Sequence, residues 1–291
     1  MKILNKEELL GKNLLKYAII ERKILSNNNH PFIVNLNYAF QTSDKLFLII
    51  EYCPNADLSK HLIKEIRFKE SRAKFYMCEL ILALEYLHQK DIIFRDLKPG
   101  NVLLDKDGHI KLIDFGLSKE GVNDNYYTKS FCGSVGYLAP EILLKQKYGK
   151  SVDWYSLGII FYEMLIGTIP YFTFNKEEIL KNTKKMELNI PNFVSKEAGL
   201  LIKKLLDKNP NKRLGGCGRD ALEIKEDIYF KDVDWNKIYK KEIKPPNFLN
   251  YMNSSINYFN KPKKFLYEDK LDKTNNQKLI EDWYFVRDDE I

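Results

Sequence analysis

Between residues 94 and 116 the chain gathers side chains suited to handling a phosphate and its counter-ion: Phe94-Arg95-Asp96-Leu97-Lys98-Pro99-Gly100-Asn101, then Asp114-Phe115-Gly116. Phosphoryl transfer is mainly positioning plus charge neutralisation. It calls for oxygen ligands to Mg²⁺, a base beside the accepting hydroxyl and a cation near the moving phosphate. Asp96, Lys98, Asn101 and Asp114 supply those residue types in one short stretch. An isolated Asp-Phe-Gly is common, and an Arg-Asp pair is usually a surface ion pair or a turn. The weight lies in their order, with Ala139-Pro140-Glu141 following downstream.

Such loops need rigid neighbours. Val102-Leu103-Leu104 and Ile110-Lys111-Leu112-Ile113 read as two short paired strands joined by the turn Asp105-Lys106-Asp107-Gly108, so the two loops flank a hairpin. Upstream, Tyr76, Leu80, Ala83, Leu84 and Leu87 recur at helical spacing and predict a long amphipathic helix. Val152 to Leu165 is apolar nearly all round except at Asp153, Ser156 and Glu163, which predicts a buried helix. Nearer the start, Met1-Lys2-Ile3-Leu4 reads as the end of a strand and residues 13 to 26 as a helix. Leu46 to Ile50 reads as a short buried strand leading to the polar connector Cys53-Pro54-Asn55-Ala56-Asp57. After about residue 236 periodicity fades into a Lys/Asn/Tyr-rich tail containing Pro245-Pro246.

With 291 residues, 44% of them apolar and 30% charged, the composition is that of an ordinary globular protein. The four cysteines are dispersed, with neither a CxxC pair nor a disulfide-scaffold spacing, which fits a reducing compartment. No apolar run approaches the roughly 20 residues of a membrane span, and residues 1 to 20 lack a signal-peptide pattern, so a soluble, cytoplasmic protein is expected. The net charge of +7 comes from lysines scattered in pairs such as Lys203-Lys204 and Lys263-Lys264. That is a solvated basic surface rather than a dedicated nucleic-acid site.

The three motifs in this order, with a hairpin between the first two, resemble those of the protein kinases, over residues 1 to about 235 and into the tail. The resemblance implies an α+β, bilobal protein-kinase-like fold. Residues 1–54 would be an incomplete small β lobe with the hinge, 55–235 a large helical lobe, and 236–291 an extended C-terminal tail. It implies a serine/threonine kinase that moves the γ-phosphate of ATP with Mg²⁺. Asp96 would orient or take the hydroxyl proton, Lys98 would steady the phosphate, and Asn101 and Asp114 would bind metal. Lys98, where the family's tyrosine kinases differ, points to serine or threonine as acceptor. By the same resemblance Lys2 would hold the ATP phosphates and Glu21 would pair with it. Ile50 would back the adenine pocket, Glu51 and Cys53 would offer hinge backbone groups, and Asp57 would meet the ribose.

Phe131-Cys132-Gly133-Ser134, Tyr137-Leu138-Ala139-Pro140-Glu141 and Asp153-Trp154 narrow the likeness to the AGC group, near the protein kinase B family. Ser130 then matches an activation-loop phosphosite served by an upstream kinase, its phosphate pairing with Arg95 and Lys119. Asp57, Ser134 and Glu163 would face the protein substrate, and a preference for basic substrates is expected, although Gly100 and Gly136 stand where glutamates often occur. Glu141 would pair with Arg213. Ile280 to Phe285 is similar to the group's hydrophobic motif, with Tyr284 in place of its serine or threonine. The chain begins inside a strand, so two strands and the glycine-rich loop that cover ATP lie outside it. The alternative expectation is therefore a truncated pseudokinase or scaffold without catalysis. Any recruitment to a membrane would fall to a domain absent from the chain.

Overall fold

The computed structural model describes residues 1–12, 14–123, 127–171, 173, 176–246 and 279–287. Strand β1 (Lys2–Asn5) runs into α1 (Lys6–Gly11) and α2 (Leu15–Ser26), followed by β2 (Leu36–Gln41) and β3 (Lys45–Ile50). The sequence reading has no counterpart for α1. Asn5 starts this helix by accepting the N–H groups of Glu7 and Glu8 at 2.9 and 3.3 Å, as an N-cap should. The helix read over 13 to 26 accordingly begins at Leu15.

A larger, mostly helical part follows. It contains α3 (Leu58–Glu65), α4 (Glu70–Gln89), the hairpin β4 (Val102–Leu104) and β5 (Ile110–Leu112), α5 (Pro140–Leu143) and α6 (Ser151–Ile166). After these come α7 (Lys176–Lys185), α8 (Lys196–Leu205), α9 (Ala221–Lys225) and α10 (Trp235–Tyr239). The predicted amphipathic helix is α4, and the predicted all-round apolar helix is α6, whose Trp154, Leu157, Ile160 and Phe161 are fully buried. No helix among the described residues is long and apolar enough to cross a membrane.

The last strand, β6 (Phe285–Val286), comes from the tail. It adds antiparallel to β2, giving the sheet order β1-β3-β2-β6. Trp283 secures it: the side chain is 1% exposed and its indole N–H donates to Phe40 O at 2.9 Å. Gln41 exchanges two hydrogen bonds with the backbone of Ile280, at 2.8 and 2.9 Å. Such alternation of burial and polar pairing is what an added strand requires. The stretch 247–278, most of the expected tail wrap and including Lys263-Lys264, lies outside the described residues.

Candidate active site

The loop from Phe94 to Asn101 hangs from the buried helix α6. Asp153 is fully buried and accepts the backbone N–H groups of Phe94 and Arg95, both at 2.8 Å. His88, on α4, stands between Asp153 at 2.9 Å and Asp220 at 2.9 Å, and Trp154 donates to Asp220 at 2.6 Å. Burial alone would lower the His88 pKa, but its bonds to the two carboxylates outweigh that and raise it to about 9. Because the folded value exceeds the ordinary 6.5, the charged imidazole stabilises the fold fully below about pH 6.5. That contribution is lost as the pH rises through about 9. His88→Gln should therefore cost about 3 kcal/mol at pH 6, and its gap from wild type should narrow towards pH 9.5 in urea titrations. A gap that does not vary with pH would remove the charge from this account.

Asp96 sits at the centre of the loop. Its Oδ1 accepts Ser134 N–H at 2.9 Å and Ser134 Oγ at 2.8 Å, and its Oδ2 accepts Lys98 Nζ at 2.8 Å and Asn101 Nδ2 at 2.9 Å. Lys98 Nζ also reaches Ser134 Oγ at 2.9 Å, so Asp96, Lys98, Asn101 and Ser134 form one cluster. Gly133 permits this closeness. At φ 103° a side-chain carbon there would stand 2.6 Å from Arg95 O, a contact no other residue could make.

A second cluster joins the small sheet to the loop after β5. Lys2 Nζ donates to both Glu21 oxygens at 2.8 and 2.7 Å and to Asp114 Oδ1 at 3.2 Å. Burial alone would lower Lys2, but Glu21 and Asp114 outweigh it and hold its ammonium above the usual value; burial pushes the Glu21 carboxyl up against the pull of Lys2. Asp114 adopts φ 66°, a left-handed conformation that costs a non-glycine residue energy, and its side chain is 48% exposed. The conformation is held from behind: Phe115 is fully buried, with its ring edge-on to Phe94 at 5.2 Å.

These two clusters also offer a place for a hard cation. Asn101 Nδ2 donates to Asp96 O at 2.8 Å as well as to Asp96 Oδ2, which sets the amide orientation and leaves Oδ1 as the free acceptor. Asn101 and Asp114 are then an all-oxygen donor set of the kind Mg²⁺ takes together with water and phosphate oxygens.

Arg95, at φ 71°, reaches Ser130 Oγ and Tyr148 OH through Nη1, the latter at 3.2 Å, and donates Nε to Leu117 O at 2.6 Å. Ser130 is exposed. The Lys119 backbone pairs with Ile93 at 3.0 Å in both directions, and its side chain is exposed. Tyr148, which sequence reading missed, joins Arg95 at Ser130, with its OH donating to Ser130 O at 2.6 Å. It lies 18 residues from Ser130 and 53 from Arg95, so no local spacing could have flagged it.

The remaining predicted residues have separate settings. Asp57 caps α3 by accepting Lys60 N–H at 3.1 Å. Ile50, at the end of β3, is half-buried. Glu51 donates its N–H to Asn35 O at 2.9 Å and pairs its carboxylate with the buried Lys111 at 2.7 Å. Burial pushes the Cys53 thiol up to about 12, which closes it to thiolate chemistry. Burial likewise pushes the Glu163 carboxyl up, although Tyr137 OH donates to it at 2.7 Å. Glu141 and Arg213 are joined by two hydrogen bonds at 2.6 and 2.9 Å, both side chains buried.

The sequence matches the family described as Protein kinase domain over residues 1–230. It is 44% identical over 246 residues to the RAC-beta serine/threonine-protein kinase of Rattus norvegicus, covering 84% of this chain and 51% of that one; the Homo sapiens protein of that name gives the same values. Over 246 residues it is 46% identical to Ribosomal protein S6 kinase alpha-1 of Homo sapiens, covering 84% of this chain and 33% of the relative. It thus spans about half the length of the first relatives and a third of the last. The family match over most of its length makes this chain a member of the protein kinase domain family.

Proposed function

We propose that the chain transfers the γ-phosphoryl group of ATP to serine or threonine hydroxyls of proteins. The observation that carries this reading is the setting of Asp96, whose carboxylate is held by Lys98, Asn101 and Ser134 beside the Lys2–Glu21–Asp114 cluster. Four donors of the fold fill the lone-pair sites of Asp96. For it to take the acceptor proton, one of them, the Ser134 hydroxyl, gives way to the substrate hydroxyl. Lys98 would neutralise charge on the phosphoryl oxygens, and Lys2 would hold the ATP phosphates with Glu21 fixing its direction. Asn101 and Asp114 would hold Mg²⁺, which supplies charge neutralisation at the phosphates. Ile50, the Glu51 carbonyl, Cys53 and Asp57 would line the nucleotide side.

In this reading Ser130 is phosphorylated by another kinase, with Arg95 and Tyr148 already at its hydroxyl to receive the phosphate. Asp57 and Glu163 favour basic substrates in the cytoplasm. A scaffold without catalysis is the second reading.

The test is phosphate transfer from labelled ATP with Mg²⁺ to an arginine-containing peptide bearing serine, threonine or tyrosine. Serine and threonine peptides should be labelled and the tyrosine peptide not, with labelling falling when the arginines become alanine. A chain that is folded by circular dichroism yet labels no peptide would leave the scaffold reading.

A further inference from the structure

The hairpin β4–β5, which lies in the chain between Asn101 and Asp114, meets the hinge stretch at both of its ends. After the hinge the contact is made by backbone. Asn55 N donates to Leu104 O at 3.2 Å, and Leu104 N donates to Ala56 O at 2.9 Å. Before the hinge it is made by side chains: Lys111, on β5, extends its ammonium to the Glu51 carboxylate at 2.7 Å. Tyr52, Cys53 and Pro54 span the gap between these two fastenings.

Glu51 is tied to β5 by a second route. Its N–H donates to Asn35 O at 2.9 Å, and Asn35 N–H donates back to Glu51 Oε2 at 3.3 Å. Just before Asn35, Val34 N donates to Leu112 O at 3.1 Å and Leu112 N donates to Phe32 O at 2.8 Å. β5 in turn reaches the metal-binding side, since Ile113 N donates to Asn101 O at 3.0 Å and Asp114 follows Ile113 in the chain. Lys111 therefore stands on the strand that separates the hinge from Asn101 and Asp114. It is 4% exposed, and Glu51 is the acid paired with it among the described residues. Asp105, at the hairpin turn, is taken by Lys241 at 2.9 Å and by the N–H groups of Asp107 and His109 at 3.0 and 2.9 Å. Cys53 feels the pair directly: burial first and the Glu51 carboxylate next push its thiol up, and Lys111 opposes them.

We propose that Lys111 is a positioning residue for the nucleotide: by holding the Glu51 carboxylate it fixes the hinge backbone against β5. The pair thereby sets where the base of ATP lies relative to Asn101 and Asp114, which rests on the reading that residues 50 to 57 line the nucleotide side. A buried ion pair adds little stability over apolar residues of the same volume. What this one adds is a fixed distance and direction, carried from β5 to the first residue of the hinge.

The test is isothermal titration of the whole chain with MgATP, with steady-state kinetics on a serine peptide beside it. Lys111→Met should weaken MgATP binding about tenfold, the scale of one lost charge-assisted hydrogen bond. KM for ATP should rise with it, while kcat and KM for the peptide change by less than about twofold. Glu51→Gln strands the buried ammonium and should melt earlier than the double variant Lys111→Met with Glu51→Gln, in which both charges are gone. ATP binding should stay weak in that double variant although its melt recovers. Wild-type affinity in the double variant, or ATP affinities that follow the melting temperature across the three variants, overturn the proposal, because the pair would then only hold the fold. A wild-type chain that binds no MgATP overturns the reading beneath the proposal, and with it the proposal, and is told apart because it needs no variant to be seen.

Discussion

Asp96→Asn should lower kcat for serine-peptide phosphorylation by about 10²- to 10⁴-fold, the usual contribution of a positioned base, with little change in KM for ATP. Asparagine cannot take the acceptor proton. Its amide would also have to turn one N–H towards donors, because Lys98, Asn101 and Ser134 all donate to this carboxylate. The loop itself would stay in place, since its anchor is Asp153 and not Asp96. Steady-state kinetics with a thermal melt of the same preparation separates the two effects. A large fall in kcat with an unchanged melt places the loss in the chemical step. A fall of less than tenfold would show that Asp96 only positions, and would require another proton acceptor.

Glu141→Ala should destabilise the fold by about 3–5 kcal/mol, the cost of stranding a buried charge. Arg213 has no exposed surface, and its other partners, Asp207 O at 3.0 Å and Ser151 O at 3.0 Å, are neutral carbonyls that cannot balance a full charge. The guanidinium also lies 4.9 Å from the centre of the Tyr155 ring, a contact too weak to replace a carboxylate. Replacing both partners, as Glu141→Leu with Arg213→Met, should recover much of the loss, because an apolar pair removes the desolvation penalty instead of leaving it unpaired. Urea midpoints of the two single variants and the double variant check this. A double variant as unstable as the sum of the singles would mean that the pair's polar contacts, and not its buried charge, hold α5 in place.

Motif order carried the reading of the cleft further than periodicity carried the reading of the fold. The spacing from Asp96 to Asn101 and the hairpin before Asp114 were legible because each is local: a loop, a turn and two short strands specified by neighbouring residues. α4 and α6 were legible because burial on one face, or on all faces, writes its period into the sequence. α1 was not, since a six-residue helix has too few turns to show a period, and its start depends on a single capping asparagine.

The roles expected of Asp96, Lys98, Asn101 and Asp114 came from the likeness of their motifs to those of the protein kinases, and phosphoryl transfer explains why such chemical groups are needed. Which groups would hold them was settled by folding. Tyr148 at Ser130, His88 and Asp220 around the anchor of the catalytic loop, and Trp283 beneath the small sheet all act across separations of 18 to 243 residues. Local spacing cannot encode such meetings, since they depend on how separately formed elements pack. Glu163 shows the same limit: its charge is plain in the sequence, but burial and the hydroxyl of Tyr137 decide how much of it a substrate can meet.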